Sequence, residues 1–313
     1  AQTTTTSTTE NSRTKYQTVV GRIAFKSVDS STGLYRIPSI VRLDADHVVA
    51  FADRRPGGNV DMGPNCTNYI VYKLGTKSSD GTWNFGEEQT ILAYTANNAA
   101  SDAATVYDKD HKTILVISTG GNIAYGSGQT KMVRRYLTYD DTNHTLTPVD
   151  EEKWYDGSTD CPKEFSASIY SLFSGTGKDQ VTSAFFTSGE ICQSRIVKKN
   201  GYYRLYAALC TRPNGTKVIY SDDLGKTWSA LEDAKYCPAP KGDESKIAEL
   251  PDGRLLLSTR MYNKNASGSV IHVHGRYMNV FSYSDDNYTA GYWSQPASTD
   301  NTVIGWDKNG NPN

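Results

Sequence analysis

The chain has 313 residues, with 33 lysines and arginines against 34 aspartates and glutamates, so its net charge at pH 7 is −1. This balance excludes proteins that bind nucleic acid through a general basic surplus, which such domains concentrate on one face. The longest apolar runs, such as residues 48–52 and 114–117, are far shorter than the roughly 20 residues that a membrane-spanning helix needs, so we predict no membrane span.

The first residues, AQTTTTSTTENSRTKYQ, are rich in Thr and Ser and contain almost no apolar side chains. Because such a segment buries too little apolar surface to offset its loss of chain entropy, we predict that residues 1–17 are disordered. Residues 18–313 are then expected to form the folded domain. Mature secreted proteins often begin in this way, and we expect a secreted, periplasmic or cell-surface protein.

From residue 19 onward, one pattern recurs: a short apolar strand, a tight turn and another short strand. The turns include residues 44–46 and 108–110 and the dipeptides Asn200-Gly201 and Asp252-Gly253. Asn-Gly and Asp-Gly are strong hairpin signals, because a type I′ turn needs positive φ at both central positions. Hardly any stretch sustains a helical period. The sequence therefore predicts an all-β chain of antiparallel hairpins.

A second repeat is superimposed on the hairpins. Residues 221–228, SDDLGKTW, have the form S-x-D-x-G-x-T-W, and degenerate copies start at Ser78, Thr138 and Ser284. The copies are roughly one four-stranded sheet apart, which favours radially repeated sheets, the blades of a β-propeller.

The cysteines and histidines indicate no metal site. None of the 5 cysteines forms a CxxC pair, which argues against a zinc ribbon. His272 and His274 share one face of a predicted strand, but no third ligand lies near them in the sequence.

The eight-residue motif resembles the Asp-box of the bacterial sialidase (exo-α-neuraminidase) family, and this resemblance implies a six-bladed β-propeller. A second segment, YRIP at residues 35–38, resembles the family's YRIP/FRIP motif. The resemblance implies that Arg36 is the first of three arginines that grip the substrate carboxylate.

Three further segments carry the resemblance. The segments RRPGG at residues 54–58 and DMGPN at residues 61–65 resemble the family's loop that supplies a second binding arginine, matched by Arg55, and the acid/base aspartate, matched by Asp61. The segment SDAA would place Asp102 at the floor of the pocket. In the last segment, a glutamate precedes the second arginine of the triad by sixteen residues, which matches Glu244 and Arg260.

The chemistry of the substrate agrees with these residue types. Sialic acid carries a carboxylate on its anomeric carbon, and a planar guanidinium can bind a carboxylate through two parallel hydrogen bonds. Retaining sialidases use a tyrosine nucleophile. In that scheme Glu244 takes the tyrosine proton, while Asp61 protonates the leaving oxygen and then activates water. Glu249 competes with Glu244 for the role of base, and the sixteen-residue spacing favours Glu244.

The sequence departs from the family pattern near its end. The family places its third arginine and its nucleophilic tyrosine after the last Asp-box, more than one blade beyond the residue matched by Arg260. Arg276 lies before that Asp-box, where the family has an ordinary strand residue, and none of the 21 tyrosines can be named as the nucleophile. An open propeller would expose strand edges. We therefore expect a propeller lacking about its last blade, completed by a further segment or a second chain.

The function implied by the resemblance is that of an exo-α-sialidase. Such a glycoside hydrolase removes terminal α-linked sialic acid from glycans or glycoproteins with retention, without a metal or organic cofactor. Two alternatives stay open: a non-catalytic propeller that binds sialic acid, and a trans-sialidase, which differs only in its acceptor.

Overall fold

The computed structural model of the protein describes residues 22–28, 33–92, 99–149, 163–213, 215–233, 236–240, 242–264 and 270–298. The side chains of Lys178, residues 261–264, residues 270–275 and residues 297–298 are not among those described. The predicted disordered segment, residues 1–17, lies outside the described residues, as do the side chains of His272 and His274.

Blade 1 is an antiparallel sheet. Its strands are β1 (Leu34–Arg42), β2 (His47–Arg55), β3 (Tyr69–Lys77), β4 (Trp83–Phe85) and β5 (Gln89–Leu92). The order is β1-β2-β3-β4, and β4 and β5 pair with successive parts of β3, so that together they form the fourth position of the blade.

Blade 2 repeats this plan. Its strands are β6 (Ala99–Asp108), β7 (Thr113–Gly121), β8 (Lys131–Asp140), β9 (Thr145–Val149) and β10 (Lys163–Glu164). Both β9 and β10 pair with β8. A short helix, α1 (Ser166–Leu172), and a 3₁₀ turn (Gly177–Asp179) connect this blade to the next. No helix in the described part of the chain is long and apolar enough to cross a membrane.

Blade 3 has a divided first strand. The next strands in the chain are β11 (Ser183–Phe186), β12 (Gly189–Glu190), β13 (Cys192–Lys199), β14 (Tyr202–Arg212), β15 (Gly215–Ser221) and β16 (Ser229–Ala230). Both β11 and β13 pair with β14, whereas β12 leaves the blade and pairs in parallel with β6 of blade 2. The predicted turn at Asn200 and Gly201 joins β13 to β14, with φ of 50° and 87°.

Blade 4 is the last sheet that the structure describes. Its strands are β17 (Gly242–Glu249), β18 (Leu255–Lys264), β19 (Val270–Tyr283), β20 (Gly291–Trp293) and β21 (Ala297–Ser298). They follow the order β17-β18-β19-β20, and β21 also pairs with β19.

The blades pack face to face, and the alternation of side chains along each strand builds a separate core on each face. In β7, Ile114 and Val116 pack in the core shared with blade 1, whereas Leu115 and Ile117 pack in the core shared with blade 3. This explains why β7 has a continuous apolar run although it belongs to an antiparallel sheet. A third core, which includes Leu257, joins blades 3 and 4.

The four copies of the repeated motif lie in the turns between the third and fourth strands of the four blades. In the full copy, Asp223 accepts hydrogen bonds from the amide (2.8 Å) and the hydroxyl (2.6 Å) of Thr227, and Trp228 donates to the carbonyl of Gly225 at 3.1 Å. The all-β propeller prediction is confirmed. The predicted number of blades is not confirmed. The described residues form four blades, whereas the prediction was a six-bladed propeller that lacks about its last blade.

Candidate active site

The six residues predicted from the sequence lie on blades 1, 2 and 4. Arg55 is the last residue of β2, Asp102 lies near the start of β6, and Glu244 lies near the start of β17. The carboxyl group of Asp102 experiences the charges of Arg55, Asp61 and Glu244. The fold therefore brings acidic side chains from three blades to one end of the sheets.

An aspartate that was not predicted lies at the centre of the cluster. Asp53 in β2 is completely buried, and its Oδ2 accepts hydrogen bonds from Nε (3.2 Å) and Nη2 (2.7 Å) of Arg55. Its Oδ1 accepts a hydrogen bond from the backbone N–H of Asp102 at 2.9 Å. Asp53 thus ties the end of β2 to the start of β6.

The carboxylate of Asp61 interacts with two arginines. Arg55 donates to Asp61 Oδ1 at 2.8 Å, and Nη1 of Arg36 lies 3.7 Å from the same oxygen. The Asp61 side chain is 84% exposed, whereas that of Arg55 is 1% exposed. Arg55 therefore lies beneath Asp61 and holds it, although the sequence predicted it to bind substrate directly. Arg36 is 40% exposed and also donates to Asn59.

Asp102 adopts a left-handed backbone conformation, with φ of 63°, at a β-bulge in β6. Burial raises the pKa of the Asp102 carboxyl group, and the negative charge of Asp53 raises it further, while Arg55 opposes the change. Burial also raises the pKa of Asp53, against the opposing effect of its ion pair with Arg55. Ionisation of Asp102 is therefore disfavoured while Asp53 carries its charge.

On blade 4, Glu244 and Arg260 form an ion pair, and their side chains are 42% and 37% exposed. Glu249, the alternative base, lies at the other end of β17, where it accepts hydrogen bonds from Ser194 and from the amide of Arg195. The position of Glu249 thus removes it from the cluster, and Glu244 remains the candidate.

Arg276 belongs to the site, although the sequence suggested an ordinary strand position. It lies directly opposite Arg260 in the pairing of β18 with β19. Its guanidinium donates to the hydroxyl (2.6 Å) and carbonyl (2.9 Å) of Ser258 and to the carbonyl of Glu244 at 3.3 Å. Burial lowers the pKa of Arg276, and the charge of Arg260 adds to this while Glu244 opposes it. Only the strand register, which the sequence does not specify, could have revealed this position.

A cavity of about 320 Å³ adjoins Glu244. Its walls come from β1, from the loop between β11 and β12, and from blade 4, and include Pro38, Ser188, Lys246 and Arg276. Burial lowers the pKa of Lys246 to about 8, and its ammonium group donates to the carbonyls of Thr187 and Glu190. The cavity therefore has cationic walls beside a carboxylate.

Comparisons with known proteins identify similar chains. No protein-family model matches the chain. Over 231 residues it is 27% identical to a sialidase of Micromonospora viridifaciens, a match that covers 72% of this chain and 32% of that protein. The chain is therefore similar to a sialidase. It spans about a third of the length of that curated protein.

Solved structures share the fold of this chain. A leech intramolecular trans-sialidase complexed with 2,7-anhydro-Neu5Ac aligns with a TM-score of 0.58 and 14% identity, covering 92% of this chain and 54% of that one. A Trypanosoma rangeli sialidase aligns with a TM-score of 0.57 and 16% identity, covering 88% and 39%. These likenesses support the propeller fold.

Two groups that a sialidase site would need, a tyrosine beside Glu244 and a third arginine, are not found in the described residues. In this part of the chain Glu244 has no tyrosine hydroxyl as a hydrogen-bond partner, and no arginine beyond Arg276 in the chain is described. Sequence reasoning missed Asp53, Lys246 and Arg276. Asp53 accepts a hydrogen bond from the backbone of Asp102, Arg276 donates one to the carbonyl of Glu244, and Lys246 experiences the charge of Glu244.

Proposed function

We propose that this chain recognises terminal α-linked sialic acid and supplies binding and acid/base residues of an exo-α-sialidase, a retaining glycoside hydrolase. The observation that carries the proposal is the convergence of arginines and carboxylates from three blades beside a cavity of sugar size. The anomeric carboxylate of sialic acid requires fixed positive charge, which Arg36 and Arg260 would provide.

The exposure of each side chain suits its proposed role. Arg36 and Arg260 are partly exposed, and their present partners are the carboxylates of Asp61 and Glu244. A substrate carboxylate would take over part of these contacts. Asp61, which is largely exposed, would protonate the departing glycosidic oxygen and then activate water.

Retention in sialidases depends on a tyrosine nucleophile. Glu244 would accept its proton, because a carboxylate beside a hydroxyl activates it for attack. We propose that the tyrosine and a third arginine come from outside the described residues. They would belong to further blades of a six-bladed propeller in a secreted or cell-surface protein, contributed by the same gene product or by a second chain.

Two other functions are supported by particular observations. The leech protein to which the chain is similar is an intramolecular trans-sialidase, which supports transfer in place of hydrolysis. The partly exposed Arg36 and Arg260 would bind a carboxylate whether or not a nucleophile is present, which supports a propeller that binds sialic acid without cleaving it.

The test is release of a fluorescent aglycone from an α-sialoside, together with detection of sialic acid binding by saturation-transfer NMR. Glu244→Gln should abolish release while the protein stays folded, and Glu249→Gln, on the same strand, is the matched control that should retain activity. Binding without release would favour the non-catalytic function. A chain that neither binds nor cleaves sialosides would refute the proposal.

A further inference from the structure

Two histidines and an aspartate from neighbouring blades meet at the end of the sheets opposite the candidate active site. Asp44 lies in the turn between β1 and β2, His47 is the first residue of β2, and His144 lies in the turn between β8 and β9. One potential ligand atom from each of the three side chains lies within 4.8 Å of the other two. The active-site residue Arg55 is at the far end of β2, so the two sites are separate.

Hydrogen bonds hold these side chains in place. Asp44 Oδ1 accepts the backbone N–H groups of Asp46 and His47, each at 2.8 Å, and His47 Nδ1 lies 2.9 Å from the same oxygen. The hydroxyl of Tyr139 donates to Asp44 Oδ2 at 3.2 Å and lies 2.8 Å from Nδ1 of His144. One carboxylate and one phenol thus fix the positions of both imidazole rings, and an ion bound between Asp44 and His47 Nδ1 would replace their direct hydrogen bond.

The chemistry of the donors suits a transition metal. Imidazole nitrogens and a carboxylate oxygen are ligands of Zn²⁺, whose bonds of about 2.0–2.2 Å place neighbouring ligand atoms roughly 3.3 Å apart in a tetrahedron. The three ligand atoms, which lie within 4.8 Å of one another, must therefore move closer together to bind one ion. The two rings are stacked with centroids 4.0 Å apart, and His144 is exposed on a turn, so its ring can turn towards a shared ion by giving up its hydrogen bond with Tyr139, while the buried His47 stays fixed.

We propose that Asp44, His47 and His144 bind one divalent transition-metal ion, with Zn²⁺ as the expected ion and water in the remaining position. The ion would link blade 1 to blade 2. The sequence analysis predicted no metal site because His144 is far from the other two ligands along the chain, and only the packing of the blades brings it close.

Blade 2 provides an internal comparison. Asp108 and His111 form the same Asp-x-x-His turn, with His111 Nδ1 2.8 Å from Asp108 Oδ2. There the imidazole stacks on Tyr202, at 4.2 Å between centroids, in the position where His47 meets a second histidine. An Asp–His pair in this turn is thus a structural element of the fold, and what distinguishes the blade 1 cluster is His144.

The experiment is a titration of the metal-stripped protein with ZnCl₂ alone. Calorimetry measures the binding, and thermal unfolding measures the change in Tm. We expect one Zn²⁺ per chain at this site and a Tm that rises by several degrees, since a ligand that binds only the folded state stabilises it. Mg²⁺ at the same concentration should have no effect, because it prefers oxygen ligands.

Substitutions assign the site. His144→Gln removes an exposed ligand without disturbing the core, and it should weaken Zn²⁺ binding at least tenfold and abolish the rise in Tm. His111→Gln, the matched control in blade 2, should bind Zn²⁺ like the unmodified protein. The proposal is overturned if Zn²⁺ produces no rise in Tm, or if His144→Gln binds Zn²⁺ as tightly as His111→Gln does.

Discussion

At the scale of single residues, Asp102 combines a functional position with an energetic cost. Its carboxyl group lies beside the buried carboxyl group of Asp53, and burial and that neighbouring charge raise its pKa. A carboxyl group whose pKa is higher in the folded state than in the unfolded state favours folding when protonated. Its ionisation therefore destabilises the protein as the pH rises from the unfolded pKa through the folded pKa.

Asp102→Asn should therefore stabilise the protein at neutral and alkaline pH. Asparagine tolerates the left-handed backbone conformation that Asp102 adopts, so the substitution removes the charge without straining the bulge. We expect Tm to rise by about 2–4 °C for each kcal/mol gained, and the difference from the unmodified protein to vanish near pH 4. Thermal unfolding between pH 4 and pH 9 measures this, and a difference that does not depend on pH would contradict the account.

The residues of the site differ in how well the sequence alone could predict them. Arg36 and Asp61 occur in motifs with a fixed order, so the resemblance could identify them. Asp53 and Arg276 act through contacts across strands, because Asp53 reaches the backbone of Asp102 and Arg276 reaches past Ser258 to Glu244. Such contacts depend on strand register and bulges, which a local pattern does not determine.

At the scale of secondary-structure elements, the pair Asp53–Arg55 joins β2 of blade 1 to β6 of blade 2. Asp53→Asn would break the buried ion pair and leave Arg55 with the exposed Asp61 as its charged partner, and breaking a buried pair typically costs about 3–5 kcal/mol. It would also remove the contact that fixes Arg55 beneath Asp61. We expect the substitution to lower the free energy of unfolding measured in urea and to weaken sialic acid binding at least tenfold.

A second buried ion pair provides the control for Asp53→Asn. Arg204 and Asp222 in blade 3 form a bidentate pair with distances of 2.7 and 2.8 Å, away from the candidate site. Asp222→Asn should destabilise the fold to a similar extent and leave sialic acid binding unchanged. If both substitutions weakened binding equally, the effect of Asp53 would be a general loss of stability and not a role in positioning the site.

The elements themselves were largely predictable because they depend on local chemistry. The hairpin at Asn200 and Gly201 and the turn at Asp223 form as the sequence indicates, since positive φ and side-chain capping are properties of short segments. The number of blades was not predictable in the same way. It depends on how much of the chain goes into connections such as α1, whose residues show no clear helical period.

At the scale of the whole molecule, the blades form a stack in which each interior blade contacts a neighbour on both faces. Blade 2 shares one core with blade 1 and another with blade 3, while blade 3 shares its second core with blade 4. Among the described residues, blades 1 and 4 each contribute to one of these cores. The stability of packed blades depends on the interfaces between neighbours, so blades 2 and 3, which each share two of these cores, should be the last to open.

Hydrogen exchange measured by mass spectrometry tests this order. Peptides from β7 and β14, whose residues are buried on both faces, should exchange most slowly, and peptides from β19 and β3 should exchange faster. Leu115→Ala, in the core between blades 2 and 3, should cost about 2–5 kcal/mol of unfolding free energy and speed exchange in both of these blades.

Phe281→Ala, in the core between blades 3 and 4, is the comparison. It should speed exchange in blade 4 first and leave β7 protected. Equal acceleration across all four blades would show that the sheets unfold as one cooperative unit and not as a stack.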